Sequence, residues 1–424
     1  MRRNRAFVVV GVSAAAALAL AGCSTDPNSG SGSTSGSGGK TLTVAGWSDD
    51  AVMTAVIAQF EKDNPGVKVK FTGYPWPSIL TQINTQLVSG TASDVDVVFP
   101  GNGNPITAQT LAKGNYLADL SSESWASKFN EATKKVMSAD GKVLMVANNS
   151  TIIPATYNTQ ALKAIGKSAP TTWSQVLDLC SAAKAKGRVA YAMAGLAGGT
   201  FNYLPYALTA TLVYGPNPDF SAQQAAGKAT FSDSQWTTAL TKYKQMLTAG
   251  CFTKDSLGTS LAVAQKQVAT GGALGIVTVS NQIVDIQKDA PSGTTFETAA
   301  LPATDKASQT VLPVGLGAGY GVNAKGNVPL GKKFLDFYMS KEGMDVAVKA
   351  GSIFPSVAVD GFKPTPALAG VSDQVRGDKT AAFPDQTWPN ANVTQVYQDQ
   401  LQKLLGGQAS VKDVLAAMDS AYRG

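Results

Sequence analysis

The apolar residues that follow residue 40 change their spacing in a regular order. Short apolar or alternating stretches predict strands over residues 41–46, 67–71 and 94–99. Between them, apolar residues recur three or four positions apart, as on one face of a helix: Val52, Val56 and Phe60 before Pro65-Gly66, then Ile79, Ile83 and Leu87 before Gly90. Asp49 or Asp50 can cap the first helix. This strand–helix–strand–helix–strand order predicts a parallel sheet with crossover helices.

The second half of the chain has a similar alternation. Thr172 and Ser232 each begin a Ser/Thr-x-x-Gln pattern, which is typical of a helix start. The helix predicted after Ser232 carries Trp236 on its apolar face, so we expect this side chain in the core. Further strands are predicted over residues 189–194 and 271–280, and further helices over residues 329–340, 393–405 and 411–422.

Polar and aromatic residues cluster where the first three strands end. They are Trp47-Ser48-Asp49, Tyr74-Pro75-Trp76 and residues 101–104. Parallel strands bring their carboxyl ends to one edge of the sheet, and ligands of such sheets bind there, so we expect a binding site at this edge. A dinucleotide site is not indicated, because the glycine-rich string at residues 319–324 itself has the pattern of a strand.

The first residues have the pattern of a bacterial lipoprotein signal. Arg2, Arg3 and Arg5 precede an apolar run over residues 6–20, which is too short to span a bilayer but suits a signal-peptide core. The run ends in Leu20-Ala21-Gly22-Cys23, which resembles the lipobox in which the cysteine is acylated. We therefore expect a signal peptide over residues 1–22, then a lipidated Cys23 and a flexible Ser/Gly linker over residues 23–39. The alternative is a plain signal peptide with an incidental cysteine.

Composition narrows the possible chemistry. The chain has 35 Lys and Arg against 29 Asp and Glu, and removing residues 1–22 takes three Arg with it, which leaves 32 (35 minus 3) against 29. So small an excess, without a basic cluster, argues against nucleic acid as a partner. Histidine is absent and there are three cysteines, so His-dependent catalysis and zinc or iron–sulfur sites are excluded. We expect no metal and no cofactor, and carboxylate chemistry remains open.

Cys180 and Cys251 are expected to form a disulfide. With Cys23 acylated they are the only remaining pair, and thiols outside the cytoplasm oxidise readily. The predicted elements place Cys180 midway along a helix and Cys251 directly after a helix and Gly250. The alternative is two buried free thiols, because the sequence does not show whether the two α-carbons come within about 7 Å.

Six short motifs follow one another along residues 40–424: the first strand and helix at 41–66, Asp140-Gly141-Lys142-Val143 leading to Tyr157-Asn158, Pro170-Thr171-Thr172-Trp173, Gly271-Gly272-Ala273-Leu274-Gly275-Ile276, Gly319-Tyr320-Gly321-Val322-Asn323, and residues 334–343. In order and spacing they resemble the extracellular solute-binding proteins of ATP-driven (ABC) importers, in the family that includes maltose and other sugar binders. The resemblance rests on the order of these motifs over nearly the whole mature chain.

The resemblance implies an α/β fold: a two-lobed, periplasmic-binding-protein-like clamshell of type II, in which each lobe is a mostly parallel sheet flanked by helices. Residues 40–150 and 320–352 would form lobe 1, and residues 151–319 and 353–424 lobe 2. The chain would cross between lobes near residues 150–154, 315–319 and 351–355. Glycines in the second crossing would absorb the dihedral change of closure.

The implied function is solute capture rather than catalysis. A monomer, held outside the cytoplasm at the cell membrane by lipid on Cys23, would bind a mono- or oligosaccharide and deliver it to the permease subunits of an ABC importer. The family's ligand-contacting loops map onto Ser48, Asp49, Tyr74, Trp76, Asn102 and Asn104 of lobe 1, and onto Phe201, Asn202, Ser280, Asn281 and the segment around Trp388 of lobe 2.

Stacking is expected to carry much of the affinity, because a pyranose has apolar C–H faces and a rim of hydroxyls. We expect Trp47, Trp76 and Trp388 to be the platforms. The chain departs from the family at two places: many sugar binders carry tryptophan where Ser280-Asn281 stands, and an acidic residue where Ser150-Thr151 stands.

Two other functions remain open from the sequence. The same fold could bind a polyamine or a charged metabolite, although the edge of the cleft offers mainly Asp49 and Asp50 as carboxylates. A secreted glycosidase would need two acidic side chains about 5–10 Å apart. The sequence indicates no acidic residue on the lobe 2 segments of the cleft, so a sugar-binding protein is favoured.

Overall fold

The computed structural model describes residues 40–48, 50–196, 200–351, 353–377 and 379–424. The predicted signal peptide, Cys23, the linker and Asp49 lie outside these residues. The strands are β1 (Lys40–Trp47), β2 (Val67–Tyr74), β3 (Val95–Val98), β4 (Ser138–Ala139), β5 (Lys142–Val143), β6 (Asn149–Ile152), β7 (Ala155–Asn158), β8 (Val189–Ala192), β9 (Ala273–Val277), β10 (Phe296–Ala299), β11 (Leu312–Leu316), β12 (Gly319–Val322), β13 (Phe354–Pro355) and β14 (Thr380–Ala381).

The helices are α1 (Ala51–Asp63), α2 (Ser78–Ser89), α3 (Ala108–Ala112), α4 (Glu131–Met137), α5 (Thr159–Ala164), α6 (Trp173–Ala185), α7 (Tyr203–Thr209), α8 (Phe220–Ala225), α9 (Trp236–Ala249), α10 (Leu261–Ala269), α11 (Ile283–Lys288), α12 (Val328–Tyr338), α13 (Lys341–Ala350), α14 (Ser372–Arg376), α15 (Ala391–Leu405) and α16 (Val411–Arg423). Within the described parts of the chain, none of these helices combines the length and the apolar character that crossing a membrane requires.

The first sheet has the strand order β12-β3-β1-β2. β1 pairs in parallel with β2 and β3, and α1 and α2 provide the crossovers, which confirms the predicted parallel unit. β12 returns from far along the chain and pairs antiparallel with β3. Asp50, one of the two expected caps, accepts a hydrogen bond at Oδ1 from the Met53 amide at 2.8 Å. Gly90 ends α2 in the left-handed region, at φ 75°.

The second sheet has the order β10-β7-β9-β8. β8 and β9 are parallel, but β7 pairs antiparallel with both β9 and β10. The expectation of a mostly parallel sheet is therefore wrong for this sheet, although it is correct for the first. The apolar alternation of a strand identifies its buried face, but it is the same for either strand direction. β7 follows β6 after two residues, without a crossover helix.

A third sheet joins distant parts of the chain in the order β13-β6-β11-β14. β6 pairs antiparallel with β11 and β13. Glycine is required directly after β11 and at the start of β12, because a β-carbon on Gly317 would collide with Asn149 Oδ1 and one on Gly319 would collide with the Val146 carbonyl oxygen. These glycines therefore permit a close approach of strands, which is a steric reason distinct from dihedral freedom.

Two large cores correspond to two lobes. The core of lobe 1 surrounds the first sheet and draws on residues 42–147 and 316–353. The core of lobe 2 draws on residues 153–303 and 381–421, and Trp236 is fully buried in it, as predicted. A smaller cluster includes Ile152 and Leu312 of the third sheet.

Cys180 in α6 and Cys251, which follows α9, form the disulfide that the sequence predicts. Their α-carbons are 4.7 Å apart, and both side chains are fully buried in the lobe 2 core. α9 ends at Gly250, whose φ of 74° turns the chain. The bond therefore ties the middle of α6 to the end of α9.

Candidate functional site

The predicted residues of lobe 1 meet at the carboxyl edge of the first sheet. Trp47 and Tyr74 are paired in register at the ends of β1 and β2. The Ser48 amide donates a hydrogen bond to the Tyr74 carbonyl at 3.0 Å. The Tyr74 hydroxyl accepts one from Gln86 Nε2 of α2 at 2.8 Å, which fixes this ring at the edge.

Three aromatic rings form a continuous surface at this edge, which we call the aromatic wall: Trp47, Phe99 and Trp76. The centroids of Trp47 and Phe99 are 5.8 Å apart in an edge-to-face contact. Those of Trp76 and Phe99 are 6.2 Å apart. Trp76 is 43% exposed, while Trp47 and Phe99 are half-buried. The wall therefore offers an apolar face that solvent or a ligand can reach.

Phe99 is a site residue that the sequence pattern did not identify. It was predicted to end a buried strand, but β3 ends at Val98 and Phe99 lies just beyond it. The available signal was its place in the sequence, directly before Pro100-Gly101. An aromatic residue there occupies the same edge as Trp47.

Asp50 combines a structural contact with an unusual electrostatic environment. It caps α1, and its Oδ2 accepts a hydrogen bond from the Tyr320 hydroxyl at 3.4 Å. Burial raises the pKa of the Asp50 carboxyl, and the hydrogen bonds from Met53 and Tyr320 oppose that rise. The neighbouring predicted residue, Asp49, lies outside the described residues.

The loop of residues 101–104 in lobe 1 contacts the chain segment that carries Trp388. Asn102 Nδ2 donates a hydrogen bond to the Pro389 carbonyl, and its Oδ1 accepts one from Thr110 Oγ1 at 2.8 Å. Asn104 Oδ1 accepts one from the Ile106 amide at 2.9 Å and so shapes the loop itself. A β-carbon on Gly101 would collide with the Gln386 carbonyl, so the two segments are in close contact.

Phe201 and Trp388 are not where the prediction placed them. Each is 2% exposed and belongs to the lobe 2 core. Trp388 is surrounded by other aromatic rings at centroid distances of 5.6–6.5 Å: Tyr206, Phe231, Trp236 and Tyr397. With its ring enclosed by residues of its own lobe, Trp388 has no face free to stack on a ligand, and its predicted platform role is corrected to a core role.

The other predicted residues of lobe 2, Asn202, Ser280 and Asn281, differ in burial and in their contacts. The Asn202 carbonyl accepts a hydrogen bond from the Tyr397 hydroxyl at 2.8 Å, which leaves the side chain of Asn202 for other contacts. Ser280 is buried, and its Oγ accepts from the Ile152 amide of β6 at 3.4 Å. Asn281 is exposed. Ser280 therefore supports the third sheet, and Asn281 faces solvent.

Asp385 is a second site residue that the sequence pattern missed. It lies in a short 3-10 turn, Pro384–Thr387, three residues before Trp388. Burial raises the pKa of its carboxyl to about 6. The position where a β-carbon of Gly103 would lie is 3.5 Å from Asp385 Cβ, so this acid adjoins the 101–104 loop. The inference that the lobe 2 segments carry no acidic residue is therefore wrong.

Four buried tyrosines lie near enough to Asp385 for its charge to act on them: Tyr203, Tyr206, Tyr214 and Tyr397. Burial raises the pKa of each, and the nearby negative charge of Asp385 raises it further. For Tyr203 the pKa rises to about 12. These hydroxyls therefore stay protonated at neutral pH and present hydrogen-bonding groups rather than charges.

Several buried polar atoms in this region have no hydrogen-bond partner among the described residues. We call them the inner polar cluster: Asn202 Oδ1, Tyr206 Oη, Asp385 Oδ1 and Thr394 Oγ1. Folded proteins keep few such atoms, because each unpaired group costs about 1–3 kcal/mol. These atoms are shielded from solvent in this structure, so a ligand would reach them only after the surrounding segments separate. Nowhere in the described ranges do three or more acidic, His or Cys side chains converge as metal ligands.

The model of a protein family described as bacterial extracellular solute-binding protein matches residues 55–361. The multiple sugar-binding protein of Streptococcus mutans is 28% identical over 153 residues, which are 36% of this chain. The match spans 35% of that relative's length.

Solved structures are similar over a larger part of the chain. A chitin oligosaccharide binding protein gives a TM-score of 0.77 at 21% identity, over 91% of this chain and 99% of its own. The solute-binding protein RafE in complex with raffinose gives 0.74 at 18% identity, over 90% and 98%. At these identities the similarity establishes a common two-lobed α/β fold.

Proposed function

This chain belongs to the family of bacterial extracellular solute-binding proteins, and on that premise we propose that it captures an oligosaccharide outside the cytoplasm and delivers it to the permease subunits of an ABC importer. The observation that carries the sugar assignment is the aromatic wall. A half-exposed row of Trp47, Phe99 and Trp76 fits the apolar faces of pyranose rings, and such contacts contribute beyond simple burial of area.

The inner polar cluster supports the same ligand class. A sugar ring has apolar faces and a rim of hydroxyls, so it needs a stacking surface and several hydrogen-bonding groups. Lobe 1 would supply the stacking surface, and Asn202, Tyr206 and Asp385 of lobe 2 would supply polar atoms that have no partner among the described residues. Ser48, Asp49, Tyr74, Asn102, Asn104 and Asn281 complete the set that we assign to the ligand.

Closure of the two lobes would bring these surfaces onto one ligand. We assign residues 40–150 and 320–352 to lobe 1, and residues 151–319 and 353–424 to lobe 2. β6, β11 and β13, which pair in the third sheet, would then serve as the hinge. The 101–104 loop and the Pro384–Thr387 turn are already in contact in this structure, and opening of the lobes would separate them.

Attachment to the membrane is the remaining part of the proposal. The lipobox-like Leu20-Ala21-Gly22-Cys23 supports acylation of Cys23, and the Ser/Gly-rich residues 24–39 would separate the lipid from the folded body. A monomer tethered in this way would release its ligand to permease subunits in the same membrane.

A thermal-shift screen of the purified protein against neutral mono- and oligosaccharides, polyamines and charged metabolites tests the proposal. A ligand that binds only the folded state adds about 2.7 kcal/mol at one hundred times its Kd. We expect the largest rise in Tm with an oligosaccharide. A rise with polyamines alone would replace the sugar assignment. Shortened sugar products after incubation would instead indicate a glycosidase.

A further inference from the structure

The chain segments that carry the proposed site contain acidic residues but no Lys or Arg. The chain contains 35 Lys and Arg, but five site-bearing segments contain none: residues 41–61, 71–112, 189–227, 267–287 and 380–402. Acidic residues do occur in them, including Asp50, three positions after Trp47, and Asp385 in the inner polar cluster. Each lobe therefore brings a carboxyl group to the site without a cation nearby in the sequence.

Folding does not pair either carboxyl group, that of Asp50 or that of Asp385, with a Lys or Arg among the described residues. Asp50 accepts hydrogen bonds from the Met53 amide and the Tyr320 hydroxyl, and Asp385 lies near buried, uncharged tyrosines. Hydroxyl and amide dipoles reduce a negative potential less than an Arg or Lys charge would, and low-dielectric surroundings strengthen it.

We propose that this site selects its sugar by charge, binding uncharged oligosaccharides and rejecting sugar acids. This inference rests on the proposed function and concerns the substrate class of the same site. A neutral ligand hydroxyl can donate a hydrogen bond to Asp385 Oδ1, which has no partner within the described residues. A uronate carboxylate has no proton to donate at neutral pH, and no Arg fork is present in these segments to receive it.

The test compares one matched pair of ligands by isothermal titration at pH 7.5. The first is the neutral oligosaccharide that raises Tm most, and the second is its analogue with a C6 hydroxymethyl group oxidised to a carboxylate. We expect the acid to bind at least ~10-fold more weakly, since like charges at a desolvated interface repel strongly. The readout is the ratio of the Kd of the acid to the Kd of the neutral sugar, and Asp385→Asn should reduce this ratio.

Asp399→Asn is the matched control, because it removes the same charge from an exposed position in α15, where Asp399 Oδ1 accepts from Gln395 Nε2. It should leave the ratio unchanged. If Asp385→Asn does not fold, the wild-type ratio at pH 5 provides the same readout. The pKa of Asp385 is about 6, so this carboxyl is mostly protonated at pH 5 and the ratio should shrink.

The outcomes separate the two proposals. If no sugar binds, the proposed function fails and charge selection fails with it. If the neutral sugar and its acid bind equally, sugar binding stands and charge selection is overturned. If the acid binds more weakly but the ratio is the same in Asp385→Asn and at pH 5, the discrimination does not come from Asp385 and the inference is overturned.

Discussion

The indole of Trp47 and the ring of Phe99 meet edge to face, with centroids 5.8 Å apart. Trp47 ends β1 and Phe99 follows β3, so the contact joins two neighbouring parallel strands at their carboxyl ends. Phe99 is held on one side by Trp47 and contacts Trp76 on the other. The sheet thus holds the aromatic wall in place through Trp47 and Phe99, while Trp76 stays accessible.

Replacing Trp76 with Ala should weaken sugar binding by ~1–3 kcal/mol, because it removes the most exposed ring of the wall. Stability should change by less than about 0.5 kcal/mol, the usual range for an exposed position. Isothermal titration and urea unfolding measure the two effects. Val88→Ala is the control, since Val88 lies on α2 of the same lobe and is 60% exposed. Wild-type affinity in Trp76→Ala would remove the wall from the site.

Trp388→Ala should affect stability instead. The side chain is enclosed in the lobe 2 core, and truncation of such an aromatic residue costs about 3–5 kcal/mol. Urea unfolding measures the loss. Trp388→Phe should recover part of the stability and bind sugar with wild-type affinity. If Trp388→Phe instead kept full stability and lost affinity, the platform role first expected for this residue would be correct after all.

Local features of the fold were predictable because they depend on neighbours in the sequence. Asp50 caps α1, and Thr172 caps α6 by accepting from the Gln175 amide at 3.4 Å. The same pattern fails at Ser232. α9 begins at Trp236, and the Ser232 amide donates to Asp419 of α16, which is 187 residues away. A contact from the far end of the chain replaced the local cap, and no local pattern signals that.

In the candidate site, too, the features that follow from local sequence were predictable, and those that depend on distant segments were not. The carboxyl edge of the first sheet follows from strand order alone, which placed Trp47 and Tyr74 correctly at one edge. Asp385 and Trp388 differ by three positions, yet one adjoins the 101–104 loop and the other lies in the core. A short 3-10 turn carries Asp385 and ends just before Trp388, and its contacts depend on packing between distant segments.

The disulfide should stabilise the second lobe substantially. The bond closes a loop with a sequence separation of 71, for which chain-entropy models give up to ~4 kcal/mol. Urea unfolding with and without reductant should differ by a large part of that value. The double variant Cys180→Ala/Cys251→Ala should be less stable and insensitive to reductant. Two alkylated thiols on these residues in denatured, non-reduced wild-type protein would show that the bond does not form.

Asp96 should make the protein less stable as the pH rises. This residue lies in β3 with a fully buried side chain, and neither carboxyl oxygen has a hydrogen-bond partner among the described residues. Burial raises the pKa of Asp96 from 3.8 to about 8, and the charge of Asp94 adds to the rise. Between these two values the folded chain holds a proton that the unfolded chain has released. The free energy of unfolding therefore falls from about pH 4 to pH 8 on account of this group.

Asp96→Asn isolates that contribution, since the amide has nearly the same shape and does not ionise. The fall in unfolding free energy between pH 5 and pH 8, measured in urea, should be smaller in the variant. The free energy of unfolding of the variant relative to that of wild type should therefore increase as the pH rises. Asp360→Asn removes an exposed carboxylate and should keep the wild-type slope. Parallel pH profiles for Asp96→Asn and wild type would mean that Asp96 does not take up a proton on folding, and that its carboxylate is instead compensated within the folded lobe.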